Sequence, residues 1–350
     1  MLHNVLNTKI LLLFTGLLLS ACQKTPELTD IKDSILTFGT FVEVTVLDVP
    51  EKDKQTILEA IEKDLEFMHY AYHPWKRGPT GRTNQLLELA GEFTANPSMI
   101  PIIKRSKELD IKSHHLFNPS IGHLMKLWGY HDEFPPEGPP PSDADIKAEL
   151  AKKPDMQSIS IKGVRISNTN PSVKLDLGGI AKGYALDHVM EHLRVLGVKN
   201  AIINTGGDLK VLGKHRDRPW HVGIRHPRKE GVIAGIDAYD GEAIVTSGDY
   251  ERYYEYEGKR YHHIIDPRTG YPADKSQSVT VINKDATLAD AAATALFIAG
   301  PEKWTEIATS MGIDTAMLID TNGKIYLTEK MQRRIQFEKP SEKFEVVKLP

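Results

Sequence analysis

The fold of this chain is constrained most by residues 246–272, which read TSGDYERYYEYEGKRYHHIIDPRTGYP. Two runs in this segment, 252–256 and 260–265, alternate in polarity and flank the short polar pair at 257–258. That pattern predicts an antiparallel hairpin with a tight turn. The sequence Asp-Pro-Arg-Thr-Gly at 266–270 has the composition of a second turn, which ends the second strand.

Two adjacent histidines, His262 and His263, lie in the second of these runs. Because successive side chains of a strand face opposite ways, one histidine faces the protein body and the other faces away from it. The strand register decides which of the two faces inward. A surface hairpin without any chemistry has the same local pattern, so a catalytic interpretation needs support from other segments.

The first 21 residues predict a lipoprotein signal peptide that is not part of the fold. Its apolar run, 10–19, follows a lysine and is too short to span a bilayer as a mature helix. Cys22, the one cysteine among 350 residues, follows Leu-Ser-Ala at the expected cleavage point, which excludes an intrachain disulfide and favours lipidation. An ordinary signal peptide with an incidental cysteine is the alternative. We therefore assign 1–21 to the signal peptide, 22–30 to the lipidated cysteine and tether, and 31–345 to one domain.

Acyl chains on Cys22 predict a protein that is anchored in the bacterial cell envelope and faces the periplasm. Gln23 follows the cysteine where an aspartate would favour the inner membrane, so the outer membrane is weakly favoured. The formal net charge of −3 gives no electrostatic argument for nucleic-acid binding.

Helical and strand patterns alternate along the body, and several strand pairs are hairpins, which predicts an α+β fold rather than a doubly wound parallel sheet. A proline-rich segment at 134–143 predicts an exposed loop. The expected strands are 37–47 with Gly39 near its start, two strands around a Gly-Gly turn in 200–213, and 278–282. The expected helices are 55–72, 85–90 with Thr83 and Asn84 as its cap, 101–112 and 288–299.

Residues 175–187, LDLGGIAKGYALD, predict a strand, a double-glycine turn and a helix that ends at Gly197. Glycines let backbone amides approach a phosphate, and a helix N-terminus attracts anions. Lys182 is therefore a candidate for neutralising a pyrophosphate oxygen, although a tight turn without a ligand has the same composition. The segment matches neither the dinucleotide-binding nor the P-loop pattern.

Asp290 and Thr294 lie four residues apart on a predicted helix and share one of its faces. Their carboxylate and hydroxyl oxygens are ligands that Mg²⁺ accepts. An acid near a helix N-terminus beside a core-facing threonine is the alternative.

Five ordered segments resemble the signature motifs of the ApbE family, the FAD:protein FMN transferases. The resemblance covers about residues 36–330 and implies the family's T-fold-like α+β body, with mixed or antiparallel sheets and packed helices in one body or two lobes. The matching segments are LFNPSIG at 116–122 with LWG at 127–129, DLGGIAKGYA at 176–185, NTGGD at 204–208, the SGDY and HIIDPRTGYP strings within 247–272, and DAAAT at 290–294.

The resemblance also implies the residues of a flavin site and a metal site. Asn118 stands where the family usually carries an aspartate, and Ala293 stands where some relatives carry one, so each departs from that pattern by one carboxylate. The implied flavin-site residues are Phe38, Trp75, Leu116, Phe117, Asn118, Asp176, Lys182, Asp208, Ser247, Gly248, His263, Ile264 and Ile265. The implied Mg²⁺ site consists of Asp290, Thr294, the carbonyl of Gly179 or Ala181, and the position of Ala293.

The chemistry that the resemblance implies is Mg²⁺-dependent transfer of FMN from FAD to a threonine or serine hydroxyl of a target protein, with release of AMP. We expect His263 to take the hydroxyl proton, with His262 as the alternative. Asp266 is expected to orient the base or contact the metal, and Lys182 to stabilise phosphate charge. The implied acceptor is a periplasmic threonine-containing segment of a membrane redox complex.

Other functions remain open at this stage. In an Mg²⁺-dependent FAD pyrophosphatase, water would replace the protein hydroxyl and the products would be FMN and AMP. A non-enzymatic flavin-binding lipoprotein would need neither metal ligands nor a base. A structural envelope lipoprotein would need none of the five motifs.

Overall fold

The computed structural model describes residues 27–89, 91–131, 136–339 and 342–350. The predicted signal peptide, Cys22 and most of the tether lie outside the described residues, as does part of the proline-rich segment. Residues 28–30, which were assigned to the tether, already belong to the first strand. Within the described ranges, no helix has both the length and the apolar composition that crossing a membrane requires.

Helices and strands alternate along the whole described chain. The helices are α1 (Lys54–Tyr72), α2 (Pro79–Leu87), α3 (Met99–Lys112), α4 (Gly122–Leu127), α5 (Asp143–Ala151), α6 (Ala181–Val195), α7 (Ala286–Ala299), α8 (Trp304–Met311) and α9 (Glu329–Gln332), with short 3₁₀ helices at Glu51–Asp53 and Met156–Ser158. The strands up to the middle of the chain are β1 (Leu28–Thr37), β2 (Thr40–Pro50), β3 (Gly91–Thr94), β4 (Ile159–Lys162), β5 (Arg165–Asn168), β6 (Asn200–Thr205), β7 (Leu209–Leu212) and β8 (Trp220–Arg225). The remaining strands are β9 (Val232–Ala238), β10 (Ala243–Gly248), β11 (Tyr253–Tyr256), β12 (Lys259–His262), β13 (Ser276–Asn283), β14 (Ala316–Asp320), β15 (Ile325–Thr328), β16 (Ile335–Phe337) and β17 (Phe344–Val347).

In the described chain, the largest sheet has nine strands in the order β1-β2-β6-β7-β10-β13-β14-β15-β17. Neighbours in it are antiparallel except β15 and β17, which are parallel. Three smaller sheets accompany it: β16-β9-β8, β3-β5-β4 and the hairpin β11-β12. This mixture of antiparallel sheets and helices confirms the predicted α+β class.

Both faces of the large sheet are buried, as the first three residues of β10 show. Ala243 and Val245 belong to the core that the sheet shares with α6 and α7, whereas Ile244 belongs to a second core shared with the β8–β9 sheet. This alternation follows from the two-residue period of a strand. The first core continues without a break into the region of β3, β4 and β5, so the described residues form one body rather than two lobes.

The strand predicted at 37–47 is confirmed for residues 40–47, which belong to β2, but its start is wrong because residues 37–40 form the turn of a hairpin. Thr37 pairs with Thr40 across a two-residue turn, in which Phe38 and Gly39 have φ values of 53° and 71°. Positive φ at both central residues is the geometry that joins two twisted strands directly. The turn therefore places Phe38 at the tip of a hairpin.

The helix predicted at 85–90 is present, but its bounds are wrong, since α2 runs from Pro79 to Leu87 and contains the supposed cap. Pro79 occupies the first turn of α2, where its missing N–H costs nothing. Asn84 lies buried inside this helix, and its amide Nδ2 donates to the Leu175 carbonyl (2.9 Å) while its Oδ1 accepts from the Leu175 N–H (2.7 Å). Leu175 was predicted to lie in a strand, but its backbone N–H and carbonyl pair with the Asn84 side chain instead of with a neighbouring strand. This pairing holds the chain just before the glycine turn at 178–179.

Candidate active site

The first turn of α6 approaches α7 closely because position 183 is a glycine. A Cβ atom built at Gly183 would lie 2.2 Å from the carbonyl oxygen of Ala286, the first residue of α7. The Gly183 N–H donates to Oδ2 of Asp290 at 2.9 Å. Asp290 thus satisfies one of the N–H groups that a helix leaves open at its N-terminus. This contact fixes α6 and α7 relative to each other at the predicted site.

Lys182 and Asp208, which were both predicted at the site, form an ion pair. Asp208 is 2% exposed, and its Oδ1 also accepts the N–H of Thr246 in β10 (3.2 Å). Burial disfavours the charged form of Lys182, but the carboxylates of Asp208 and Asp290 outweigh it and raise the pKa of the ammonium group. A positive charge is therefore held permanently at the beginning of α6, where the helix end already favours anions.

Asp290 is buried and has an unusual charge environment. Burial, together with repulsion from Asp208, raises the pKa of Asp290 to about 7. Among the described residues no lysine or arginine forms an ion pair with Asp290, because Lys182 pairs with Asp208 instead. A buried carboxylate without a paired cation suits the binding of a positively charged ligand.

The other predicted metal ligands lie next to one another. The Thr294 hydroxyl lies 3.4 Å from the Ser247 hydroxyl, and a Cβ built at Gly179 would lie 3.2 Å from Thr294 Oγ1. Among the described residues, no backbone N–H outside the regular helices and strands donates to the Gly179 carbonyl. Ala181 is the first residue of α6, so its carbonyl belongs to the helix ladder and Gly179 is the better oxygen donor. Ala293 is fully buried, and its methyl group supplies no ligand.

Asp290, Thr294 and the Gly179 carbonyl therefore offer one carboxylate, one hydroxyl and one carbonyl oxygen to a cation. These hard oxygen donors suit Mg²⁺, which keeps several waters or phosphate oxygens in its shell. The residues present fit the ion that the resemblance implies, with one carboxylate fewer than in some family members.

The segment from Leu116 to Gly122 lies alongside the glycine turn. The Asp176 N–H donates to the Pro119 carbonyl (2.8 Å), and the Gly122 N–H donates to the Lys174 carbonyl (2.8 Å). The Phe117 ring lies 3.4 Å from the Cβ position of Gly179. Two motifs that are about 60 residues apart in sequence are thereby brought together beside the predicted metal ligands.

The side chains of Asn118 and Asp176 form hydrogen bonds within the protein. Asn118 Oδ1 accepts the N–H and hydroxyl of Ser120 (3.0 and 2.5 Å), and its Nδ2 donates to the Pro154 carbonyl (3.2 Å). These bonds explain why an amide serves at this position: a carboxylate could not donate to Pro154. Asp176 Oδ1 accepts the Gly178 N–H (2.9 Å), and burial raises the pKa of this carboxyl group.

The remaining flavin-site predictions fall into two groups. Phe38 and Trp75 are partly exposed aromatic residues: Phe38 packs edge-on against His69 (5.6 Å between ring centroids), and the Lys174 ammonium lies 5.1 Å from the Trp75 ring centroid. The other group is almost fully buried and offers little surface to a ligand: Leu116, Gly248, Ile264 and Ile265.

The two histidines have clearly different environments. Both ring nitrogens of His262 are engaged, since Nε2 donates to the Ala273 carbonyl (2.7 Å) and Nδ1 accepts the Ile264 N–H (3.2 Å). His263 Nδ1 lies 3.2 Å from the Arg252 carbonyl, and its Nε2 has no hydrogen-bond partner in the described ranges. β12 ends at His262, so the alternation predicted through residue 265 stops there. His262 is therefore a structural residue, and His263 has a nitrogen available to a substrate.

His263 is a weak base in this state of the protein. Burial, helped by the positive charges of Arg252 and Lys182, lowers the pKa of His263 to about 3. The Nδ1 contact with the Arg252 carbonyl corresponds to a neutral ring that donates from Nδ1 and can accept at Nε2.

Asp266 forms no hydrogen bond with His263 in the described structure. Its carboxylate accepts three hydrogen bonds of 2.7–3.2 Å from the Arg268 side chain and a fourth of 2.9 Å from the Arg268 N–H. The Gly270 N–H donates to the Asp266 carbonyl (2.8 Å), which closes the predicted turn. The expectation that Asp266 orients the base finds no supporting contact, because Arg268 occupies both carboxylate oxygens.

Arg252 is a site residue that the sequence analysis missed. Its backbone carbonyl accepts from the His263 N–H (3.1 Å) and contacts the His263 ring, while its charge favours the ionised form of Asp176. The register of the β11–β12 hairpin could have identified Arg252 as a site residue. Tyr253 pairs with His262, so Arg252 lies opposite His263.

The fold and the site together define an α+β scaffold that carries a permanent positive charge, a buried acid and oxygen donors at one helix N-terminus, an arrangement suited to a phosphate-bearing nucleotide. A model of the ApbE family matches residues 38–347, and the chain belongs to that family.

Individual relatives agree with this assignment. A protein of Rhodobacter capsulatus named FAD:protein FMN transferase is 38% identical over 307 residues, which are 88% of this chain and 58% of that protein. The structure of an ApbE protein from Thermotoga maritima superposes with a TM-score of 0.79 at 31% identity, covering 89% of this chain and all of the other. The flavin transferase ApbE from Vibrio cholerae gives a TM-score of 0.77 at 27% identity, with 88% and 100% coverage. The chain thus spans 58% of the first relative's length and the full length of both structures.

Proposed function

We propose that this protein transfers FMN from FAD to a threonine or serine hydroxyl of a target protein, with release of AMP. The relatives' names support flavin transfer. The observation that carries the proposal for this chain is the convergence of Lys182, Asp290 and Thr294 at the beginning of α6. A diphosphate placed there would meet a fixed ammonium group and a helix N-terminus.

The residues suited to hold Mg²⁺ are Asp290, Thr294 and the Gly179 carbonyl. When bound, this ion would offset negative charge on the diphosphate and on the leaving phosphate. Lys182 would stabilise the same charge from the protein side, and its pairing with Asp208 holds its side chain in place. Phe117, Phe38 and Trp75 offer aromatic surface for the ring systems of FAD.

His263 is the residue proposed to take the proton from the acceptor hydroxyl. Its Nε2 has no hydrogen-bond partner among the described residues, whereas both nitrogens of His262 are engaged. Negative charge from a bound diphosphate would offset the cations Arg252 and Lys182 that lower its pKa. Substrate binding itself would therefore make His263 a stronger base.

The setting that we propose is the bacterial cell envelope, with a lipid anchor on Cys22 and the domain facing the periplasm. The acceptor would be a threonine-containing periplasmic segment of a membrane redox complex. The N-terminal sequence and the resemblance to the family support this part of the proposal.

The test is to mix the purified full chain, in detergent, with FAD, Mg²⁺ and a candidate acceptor domain that carries such a threonine. Flavin fluorescence that stays with the acceptor through denaturing electrophoresis is the expected result, and a threonine-to-valine acceptor is the matched control. AMP and free FMN without a labelled acceptor would identify an FAD pyrophosphatase instead. Unchanged FAD would contradict both enzymatic functions and indicate flavin binding alone.

A further inference from the structure

A second group of ligand-type side chains lies outside the predicted flavin and magnesium site. Asp110 near the end of α3, His115 just after it and Asp155 before the short 3₁₀ helix each offer one ligand atom, and these atoms lie within 4.8 Å of one another. His115 Nδ1 lies 2.9 Å from Asp110 Oδ2. None of the three was singled out by the family motifs.

One oxygen in this group lacks any partner. Asp110 is fully buried, and its Oδ1 has no hydrogen-bond donor in the described structure. Its other oxygen is well satisfied, by His115 and by Gln157 Nε2 at 3.0 Å. A buried carboxylate oxygen without a donor is costly, so Oδ1 independently indicates a missing ligand.

Nearby charged side chains do not supply that partner. Lys107 Nζ donates to the backbone carbonyls of Met156 (2.8 Å) and Ile159, and within the described ranges it forms no ion pair with Asp110 or Asp155. His114, the neighbour of His115, instead lies 3.7 Å from Glu306. Within the described ranges, therefore, no lysine or arginine pairs with Asp110, and His115 can neutralise it only when the imidazole is protonated.

We propose that Asp110, His115 and Asp155 bind a divalent transition-metal ion of the Zn²⁺ type, separate from the Mg²⁺ site. An imidazole nitrogen with two carboxylates is a donor set that Zn²⁺ accepts, with water in the fourth position. Two ligands at zinc distances in a tetrahedral site lie about 3.4 Å apart. Binding would therefore replace the 2.9 Å hydrogen bond between His115 Nδ1 and Asp110 Oδ2 and move these two atoms apart by about 0.5 Å. Asp110 Oδ1, which has no donor in the described structure, could face the ion instead of Oδ2. Asp155 uses Oδ1 to accept the Gln157 N–H (2.9 Å), which leaves Oδ2 as its oxygen for the ion.

A metal ion at this position would join three segments. His115 directly precedes Leu116 and Phe117, and Asp155 directly follows Pro154, whose carbonyl accepts from Asn118. His115 is held with a φ of 65°, a conformation that costs energy for a non-glycine residue. By holding His115, the ion would fix the position of Leu116 and Phe117, independently of whether these residues contact a flavin.

The experiment uses the full chain without a histidine tag, stripped with chelator, in excess Mg²⁺ to fill the other site. Zn²⁺ alone is titrated by calorimetry, and Co²⁺ is added separately to record its visible absorption. We expect one Zn²⁺ per chain, at least about tenfold weaker binding for His115→Ala and for Asp155→Asn, and tetrahedral Co²⁺ bands that both variants lose. His114→Ala, next in sequence, is the matched control and should bind as the parent does.

Asp290→Asn should bind Zn²⁺ as the parent does, because Asp290 belongs to the proposed Mg²⁺ site and not to the zinc site. The proposal is overturned if the parent chain binds no Zn²⁺ at about 100 µM. It is equally overturned if His115→Ala and Asp155→Asn bind as the parent does, or if His114→Ala weakens binding as much as they do.

Discussion

Replacing Gly183 with alanine tests whether the close approach of α6 and α7 positions the site. The added Cβ would lie 2.2 Å from the Ala286 carbonyl oxygen and 2.8 Å from Asp290 Cβ. A normal contact with that oxygen requires α7 to withdraw by about 1 Å. That movement breaks the 2.9 Å hydrogen bond from the Gly183 N–H to Asp290.

The expected cost combines three effects. Overpacking costs about 1–3 kcal/mol, and the buried N–H that loses its partner costs about 1–3 kcal/mol more. The better helix propensity of alanine returns about 1 kcal/mol. Gly183→Ala should therefore lower the free energy of unfolding by about 1–5 kcal/mol, and a displacement of about 1 Å at Asp290 should reduce FMN transfer about 100-fold.

Urea unfolding followed by circular dichroism gives the stability, and gel fluorescence of the labelled acceptor gives the rate. Gly178→Ala is the matched control in the same turn, because its Cβ would meet the Asp176 side chain alone, at 3.1 Å. That variant should stay within about 1 kcal/mol of the parent. If Gly183→Ala also stays within about 0.5 kcal/mol and transfers FMN at the parent rate, the close helix contact does not organise the site.

Three further predictions concern the charged and polar groups. His262→Ala should lower the urea midpoint more than His263→Ala does, because it loses two hydrogen bonds rather than one, whereas His263→Ala should lose transfer; the reverse pattern would refute the assignment. Burial lowers the pKa of both histidines below the ordinary 6.5, so the unfolded chain binds protons that the folded chain does not, and stability should fall as pH drops below 6.5 by up to about 1.4 kcal/mol per pH unit for each histidine. Urea midpoints at pH 7.5 and 5 measure this, and a His262→Gln variant with an unchanged slope would contradict it. Lys182→Met should cost about 2 kcal/mol because Asp208 loses its partner, and adding Asp208→Leu should recover much of that loss; equal stability of the parent and the single variant would show that the pair is not stabilising.

The sequence predicted best those features that depend on neighbouring residues. The periodicity of α1, α3 and α7 and the turn at Asp266 are local patterns, and the structure has them nearly as expected. The order of the motifs along the chain also indicated the ApbE family, which the family match confirms.

The features that the sequence did not reveal depend on distant partners. Asn84 pairs with Leu175 across 91 residues and takes the place of a strand neighbour. β1 was missed because few of its residues are buried, among them Ile31 and Thr37, so it lacks a clear alternation. The choice between His262 and His263 required contacts with Ala273 and Arg252 that no local pattern specifies.

The order of strands in the large sheet has a consequence for how the protein folds. β2 and β6 are neighbours in the sheet although about 150 residues lie between them, whereas β6 and β7 are joined by a short turn. Closing the long loop costs more chain entropy, so we expect β6, β7, β10 and β13 to associate first and β2 to dock later. Lys182 and the Phe117 segment both lie within the long loop. The nucleotide therefore cannot serve as an early template, and binding should begin only when the chain is nearly complete.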